Sequence, residues 1–397
     1  MRNQYNLGGL AFLALGLFTA PALDSQACTT VGIPKSDEKI VAKSYDWHQG
    51  HGAVVMNLKG LDKTALIFTV PTSRPIRPGT PAPPAPPVET PVKWKSGHAS
   101  VTFNQHGREF PLGGMNDAGL VVEIMWLDTT VYPKHDTRKV LNELQWIQYT
   151  LDKFATVEEM LTPIEVEGKK VRPVDTIRVA PVMAQVHYMV CDATGACATF
   201  EYLKGSLVVS GGGRSTTAKV PTLTNTEYAP LLTELASYVG FGGTQSIPTG
   251  GYSLDRFVRA SAMADAFDPK GTVTAVDHAF GILDSVGGSD YTKFHIVYEP
   301  KAGKVHFRTF EYKDRRTIEL AKLKPNWDCQ RGVEKTRFLD MNQKGTGDIS
   351  ASLALDSSHT LNRTMINAAT RDMDPSISYY AARELTNYPL SSSVVCK

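Results

Sequence analysis

The chain carries five cysteines. In an oxidising compartment an odd count leaves one over, either to bridge between molecules or to stay a free, reactive thiol. Cys28 is the residue at which that remainder becomes chemistry. Arg2 precedes an apolar run over 7–20, and Ser25-Gln26-Ala27 places small residues one and three positions before Cys28. This is the pattern of a secretory signal peptide, residues 1–27, cleaved after Ala27. The apolar run is shorter than the roughly 20 residues that a membrane-spanning helix needs. Cleavage makes Cys28 the first residue of the mature chain, with a thiol and a free α-amine on one residue. Their reference pKa values are about 8.5 and about 7.7–8.0, so near neutrality the amine can accept the thiol proton, directly or through a water. Lipoprotein processing is the alternative: it lipidates the thiol, acylates the amine and abolishes the nucleophile. It usually wants leucine three residues before the cysteine, where this chain has Ser25. An attacking cysteine also needs a group to hold its amine and donors for the oxyanion of a tetrahedral intermediate. Asp46, at the end of the second strand of a hairpin that begins at Cys28, is returned toward it; an ordinary strand-end aspartate accounts for it equally well.

Other groupings carry less. His48 and His51 resemble a metal pair but have no companion His, Cys or carboxylate cluster nearby, so no metal site is expected. Glycines 211–213 lack the strand-GxGxxG-helix context of a dinucleotide site, and there is no P-loop. Cys191 and Cys197, with five residues between them, are too far apart for a CxxC motif and suit a bridge across a hairpin; Cys329 and Cys396 suit a tie on the C-terminal tail. Four cysteines allow three pairings, and sequence does not choose among them.

The elements that must position Cys28 and Asp46 follow from periodicity. The segment 28–47 reads as two β-rich runs around a polar turn at 34–38, with further strands at 53–58 and 65–70. The stretch 71–91 is too proline-rich to join a sheet and reads as an extended surface loop. Strands are expected at 98–104 and 119–127, a helix over 138–154 and a capped one over 156–161. Strands return at 182–190, 198–203 and 207–210, helices at 228–239, 254–267 and 273–283, and strands at 293–298 and 304–312. Such alternating blocks of strands and helices indicate an α+β fold, as one domain over 28–397 with no internal repeat. The 397 residues hold 42 Lys plus Arg against 40 Asp plus Glu. A formal charge of +2 gives no electrostatic reason to expect nucleic acid or an anionic membrane as partner.

A set of segments in order resembles the choloylglycine hydrolase family, which comprises conjugated bile acid hydrolases and penicillin V acylases within the N-terminal nucleophile hydrolases. They are Cys28-Thr29, the AKSYDW segment ending Asp46-Trp47, Gly-Met-Asn116-Asp-Ala-Gly-Leu, Leu-Thr-Asn225 and Asp-Arg256-Phe257. The likeness runs from Cys28 to about Tyr312, and the Trp47 and Trp126 positions look most like its Gram-negative branch, which includes acyl-homoserine lactone acylases. The resemblance implies a four-layered αββα sandwich and a periplasmic or secreted amidase acting on a small N-acyl amide, without metal or organic cofactor. It implies Cys28 as nucleophile with its α-amine as base and Asp46 hydrogen-bonded to that amine. The Asn225 side chain and the Asn116 backbone would form the oxyanion hole, and Arg256 would support the charge network. Trp47 and Trp126 would line an apolar acyl pocket. One position departs from the pattern: Lys43 stands where the family usually has arginine, keeping the charge but losing the rigid fork of donors. The substrate stays open among a penicillin, a bile acid conjugate and an acyl-homoserine lactone. A homo-oligomer and a catalytically silent binding protein on the same scaffold stay open too.

Overall fold

The computed structural model describes residues 28–67, 88–162, 164–166, 169–171, 174, 176–180, 184–211, 220–288, 291–329, 336–355, 363–365, 367 and 394–396. The leader expected over 1–27 and most of the proline-rich segment lie outside them.

The hairpin expected at the mature start forms. Thr29–Ile33 (β1) and Ile40–Asp46 (β2) pair antiparallel, with Thr29 opposite Ser44 and Ile33 opposite Ile40. Ser36 closes the turn: its hydroxyl donates to the Ile33 carbonyl at 2.7 Å and accepts from the Ile40 amide at 2.9 Å. This hairpin enters a sheet with spatial order Thr222–Leu223, β1, β2, Thr292–Glu299, Lys304–Thr309, Arg316–Glu319, Gly347–Asp348. A second, larger sheet runs Ser206–Gly211, Cys197–Leu203, Val186–Cys191, Val121–Trp126, Pro111–Asn116, Ser100–Asn104, Ala53–Asn57 (β3), Arg337–Asp340, Ala354–Leu355.

Side-chain alternation along the strands divides the core. Val31, Ile33, Ile40 and Ala42 pack with Val297 against Ala260, Ala279, Ile282 and Leu283 of two helices, Ser253–Asp265 (α4) and Ala275–Val286 (α5). On the other face the two sheets meet. Thr30 reaches Met125 at 2.9 Å, and Phe103 sets its ring against Phe294, Tyr298 and Phe307 at centroid distances of 6.4, 6.4 and 5.4 Å. Trp146–Lys153 (α1) covers the larger sheet: the Trp146 ring stacks on Tyr188 at 4.1 Å and leans on Phe200. Val157–Leu161 (α2) starts at Thr156, whose hydroxyl caps the Glu159 amide, as the sequence suggests. Tyr228–Leu235 (α3) is shorter than expected. Each fully buried aromatic or branched side chain contributes about 2–3 kcal/mol through apolar area removed from water.

Three expectations are corrected. The strand read over 65–70 is instead Asp62–Thr64, with 65–67 outside any strand and 68–70 outside the described residues. The helix read over 138–154 begins as a strand, Lys139–Asn142, paired in parallel with Ile177–Ala180; helix follows only after Asn142 caps the Gln145 amide at 2.9 Å. The segment Pro111–Asn116, not expected as a strand, is a central one. The disulfides are Cys191–Cys197 and Cys329–Cys396, and Cys28 is free.

Candidate active site

Cys28 sits immediately before β1, 4% exposed, with its Sγ 3.7 Å from the backbone oxygen of Asp46. The β1–β2 register makes that meeting obligatory: with Thr29 opposite Ser44, the end of β2 arrives beside the residue preceding β1. The fully buried Asp46 accepts at Oδ1 from Ser44 Oγ (3.1 Å) and from Thr292 Oγ1 (2.5 Å). Its Oδ2 is buried and finds no hydrogen-bond partner among the described residues.

Arg256 comes from the first turn of α4 and, at 1% exposure, is one of the largest fully buried side chains. Its Nη1 donates to the Cys28 carbonyl at 2.6 Å and to Thr29 Oγ1 at 2.8 Å, and its Nη2 donates to Asn225 Oδ1 at 2.8 Å. A guanidinium only donates, so Asn225 must turn its oxygen to Arg256 and its NH2 away. That NH2 donates to the Trp126 carbonyl at 3.0 Å, leaving its second hydrogen for another acceptor. Ser253, the first residue of α4, holds the segment: its Oγ accepts from the Asn225 amide at 3.0 Å and meets Thr224 Oγ1 at 2.9 Å. Helix α4 thereby fixes Cys28 and Asn225 relative to each other, although they are far apart in the chain.

Lys43, opposite Thr30 in the hairpin, is buried between the sheets. Its Nζ donates to the Ile124 carbonyl, lies 3.1 Å from Met125 Sδ and is 3.8 Å from Glu123 Oε2. Glu123 also accepts from the Tyr298 hydroxyl. Burial pushes Glu123 up to about 7 against the pull of Lys43 and Tyr298. Sequence reading missed Glu123, since a lone glutamate in an apolar strand gives no cue to the buried lysine across the sheets. Burial also raises the Cys28 thiol, opposed by the positive charges of Lys43 and Arg256 and reinforced by Asp46. Asp46 is raised by burial, with Thr292 and Arg256 pulling the other way. The resting thiol is therefore protonated near neutrality, and attack requires a base.

The structure brings together Cys28, Asp46, Asn225 and Arg256, with Lys43 behind them, but not Asn116. The Asn116 amide donates to the Leu120 carbonyl at 3.0 Å, its NH2 to the Leu151 and Phe154 carbonyls, and its Oδ1 accepts from Ala118 and Leu120. It lies at the turn end of Val121–Trp126, whereas Asn225 contacts Trp126 at the other end. At roughly 3.3 Å per residue those ends are about 17 Å apart. Asn116 fastens a turn to the end of α1 and leaves no free backbone donor for an oxyanion. Trp47 and Trp126 are partly buried, with ring centroids 6.3 Å apart, beside Asn225. His48 stacks on Trp47 at 4.8 Å, and no cluster of three or more metal-ligating side chains occurs among the described residues.

Residues 101–333 match the family model of linear amide C–N hydrolases, choloylglycine hydrolase family, and the chain belongs to that family. A penicillin V acylase of Pectobacterium atrosepticum is 30% identical over 192 residues, 47% of this chain and 50% of that protein, so the chain spans about half the length of that relative. Among solved structures, a penicillin V acylase from Agrobacterium tumefaciens superposes with a TM-score of 0.62 at 24% identity, over 82% of this chain and 96% of that one. A variant of the conjugated bile acid hydrolase from Clostridium perfringens gives 0.56 at 17% identity, over 81% and 99%. These likenesses are in fold: an α+β fold built on two large sheets.

Proposed function

We propose that the protein is a periplasmic or secreted amidase that hydrolyses a small N-acyl amide through a thioester on Cys28, on a four-layered αββα sandwich. The observation that carries this reading is the Arg256 fork, which binds the Cys28 carbonyl and Asn225 Oδ1 together. Removal of residues 1–27 frees the Cys28 α-amine. The unpartnered Asp46 Oδ2, buried at the end of the strand next to Cys28, is the acceptor that such an amine would use.

In the proposed reaction the amine takes the thiol proton, and the thiolate attacks the amide carbonyl carbon. The oxyanion accepts from the free hydrogen on Asn225 Nδ2. Collapse breaks the carbon–nitrogen bond, the departing amine takes the proton held on the Cys28 amine, and a water deprotonated by the same amine hydrolyses the thioester. Lys43 and Arg256 favour the thiolate by their charge. Trp47 and Trp126 form the wall for a flat, apolar acyl group.

A phenoxyacetyl amide such as penicillin V fits that wall; a bile acid conjugate and an acyl-homoserine lactone are the comparison substrates. Initial rates on the three, with wild type and Asp46→Asn, test the assignment. Hydrolysis of at least one, with kcat lowered by Asp46→Asn, is expected. Equal rates in the two proteins contradict the role of Asp46.

A further inference from the structure

Beside Asp46, at the C-terminal end of α5, lies a cavity of about 380 Å³ whose wall includes Gly287, Thr292, His295, Arg308, Phe310 and Lys313. We propose that it binds a small organic carboxylate, at a site separate from Cys28.

The case begins with His295, which is 7% exposed. Arg308 Nη2 approaches its Nδ1 at 3.1 Å, and a guanidinium only donates, so Nδ1 is the acceptor and the ring proton sits on Nε2. Nε2 is buried and has no hydrogen-bond partner among the described residues. A buried donor left unpaired is destabilising, and an acceptor arriving in the cavity would remove that cost. Gly287 keeps the approach open, because a Cβ there would lie 3.2 Å from Nε2. Burial and the Arg308 charge hold the imidazole well below its usual range, at about 3, so it remains a neutral donor.

The surrounding charge selects an anion. Among the described residues Asp284 is the one acidic side chain in the wall that Arg308 and Lys313 face; it already pairs with Arg308 and lies 3.7 Å from His295 Nδ1. A metal cation would meet two positive groups and a protonated Nε2. The Phe310 ring supplies an apolar wall, and the Lys313 ammonium stands 4.4 Å from its centroid. A carboxylate with a flat apolar body satisfies the donors and the Phe310 ring together, and the volume is of the usual order for small-molecule sites.

Thr292 joins this wall to Asp46. Its hydroxyl accepts from the Gly288 amide at 2.9 Å and donates to Asp46 Oδ1 at 2.5 Å. The acid released by amide hydrolysis has the chemistry of the ligand, which would make the cavity a product-sensing site; that link alone rests on the proposed function, and the binding claim does not.

Calorimetric titration of the processed protein with benzoate tests it, with benzamide as the uncharged control. One benzoate per chain is expected, with no benzamide binding. The affinity should fall at least tenfold in Arg308→Gln and several-fold in Lys313→Gln, whose exposed side chain makes it the safer variant for folding, and should be unchanged in Asn225→Ala. Benzoate affinity equal to wild type in both cavity variants, equal binding of benzamide, or no heat at millimolar benzoate would overturn the proposal. Activity does not enter these readouts, so failure of the amidase reading would leave them standing.

Discussion

At the scale of single residues, two asparagines that look alike in sequence are given opposite work. Asn225 is held by Arg256 and Ser253 with one N–H to spare, whereas every polar atom of Asn116 is spent on the chain around it. Removing an oxyanion donor typically costs 10²–10³-fold in kcat, so Asn225→Ala is expected to lose roughly that much activity per folded molecule, beside the stability lost when the buried Arg256 guanidinium gives up an acceptor. Asn116→Ala should instead lose about 1–3 kcal/mol of stability, from buried carbonyls left unpaired, while keeping its activity per folded molecule. A calorimetric scan and a rate assay on each variant separate the two. The motif containing Asn116 was legible because turn chemistry leaves a sequence signature. Its distance from Cys28 was not, because that depends on which end of a strand faces the hairpin. Glu123 makes a second prediction, through pH. Its folded pKa of about 7 lies above the ordinary 4.5, so the folded state holds a proton that the unfolded chain releases. Its stabilising contribution is full below about 4.5 and is lost as pH rises through about 7, by roughly 3 kcal/mol. Denaturant unfolding at pH 4.5 and 8 should show wild type losing this increment relative to Glu123→Gln; a pH-independent difference between the two proteins contradicts the assignment.

At the scale of elements, the β1–β2 hairpin and helices α4 and α5 follow the sequence pattern closely, because local alternation in the hairpin, an apolar stripe on each helix and the Thr274 cap of α5 decide them. The strand Pro111–Asn116 does not, since proline and two adjacent glycines argue against a central strand. Tertiary crowding explains the exception. A Cβ on Gly113 would fall 2.3 Å from the Glu123 carboxylate, and one on Gly114 would fall 2.6 Å from the Val101 carbonyl oxygen and the Thr102 side chain. The glycines let neighbouring strands close around the Lys43–Glu123 pair. Overpacking of this kind costs typically about 1–3 kcal/mol. Gly114→Ala should show that loss in urea unfolding, and Gly113→Ala should also displace Glu123 and remove the pH dependence described above. The strand at Lys139–Asn142 was hidden for a related reason: its apolar residues fit helical spacing as well as strand alternation, and only pairing with Ile177–Ala180 decides between them.

At the scale of the whole molecule, the odd cysteine and the near-neutral charge acquire physical meaning. Two disulfides consume four cysteines, Cys28 remains, and the core of one sheet faces that of the other. Thiol titration of the denatured, unreduced processed protein should find one thiol per chain, and five after reduction. A lipidated Cys28 would give none before reduction. The Cys329–Cys396 bridge spans 67 residues, and loop-closure entropy assigns such a bridge about 4 kcal/mol. Its loss should lower the melting temperature while leaving the Arg256, Asn225 and Asp46 contacts in place. The pairing follows from fold geometry and was not available from spacing.

The central claim is that Cys28, exposed as an N-terminal residue, carries the acyl group. The most direct test is the rate of amine release from penicillin V by the processed protein, measured beside Cys28→Ser with matching circular dichroism and with N-terminal mass determined for both. The prediction is a mature chain beginning at residue 28, turnover in wild type, a transient acyl adduct mapped to Cys28, and near-complete loss in Cys28→Ser. Turnover retained by Cys28→Ser, or by a chain with residues still attached before position 28, would contradict it.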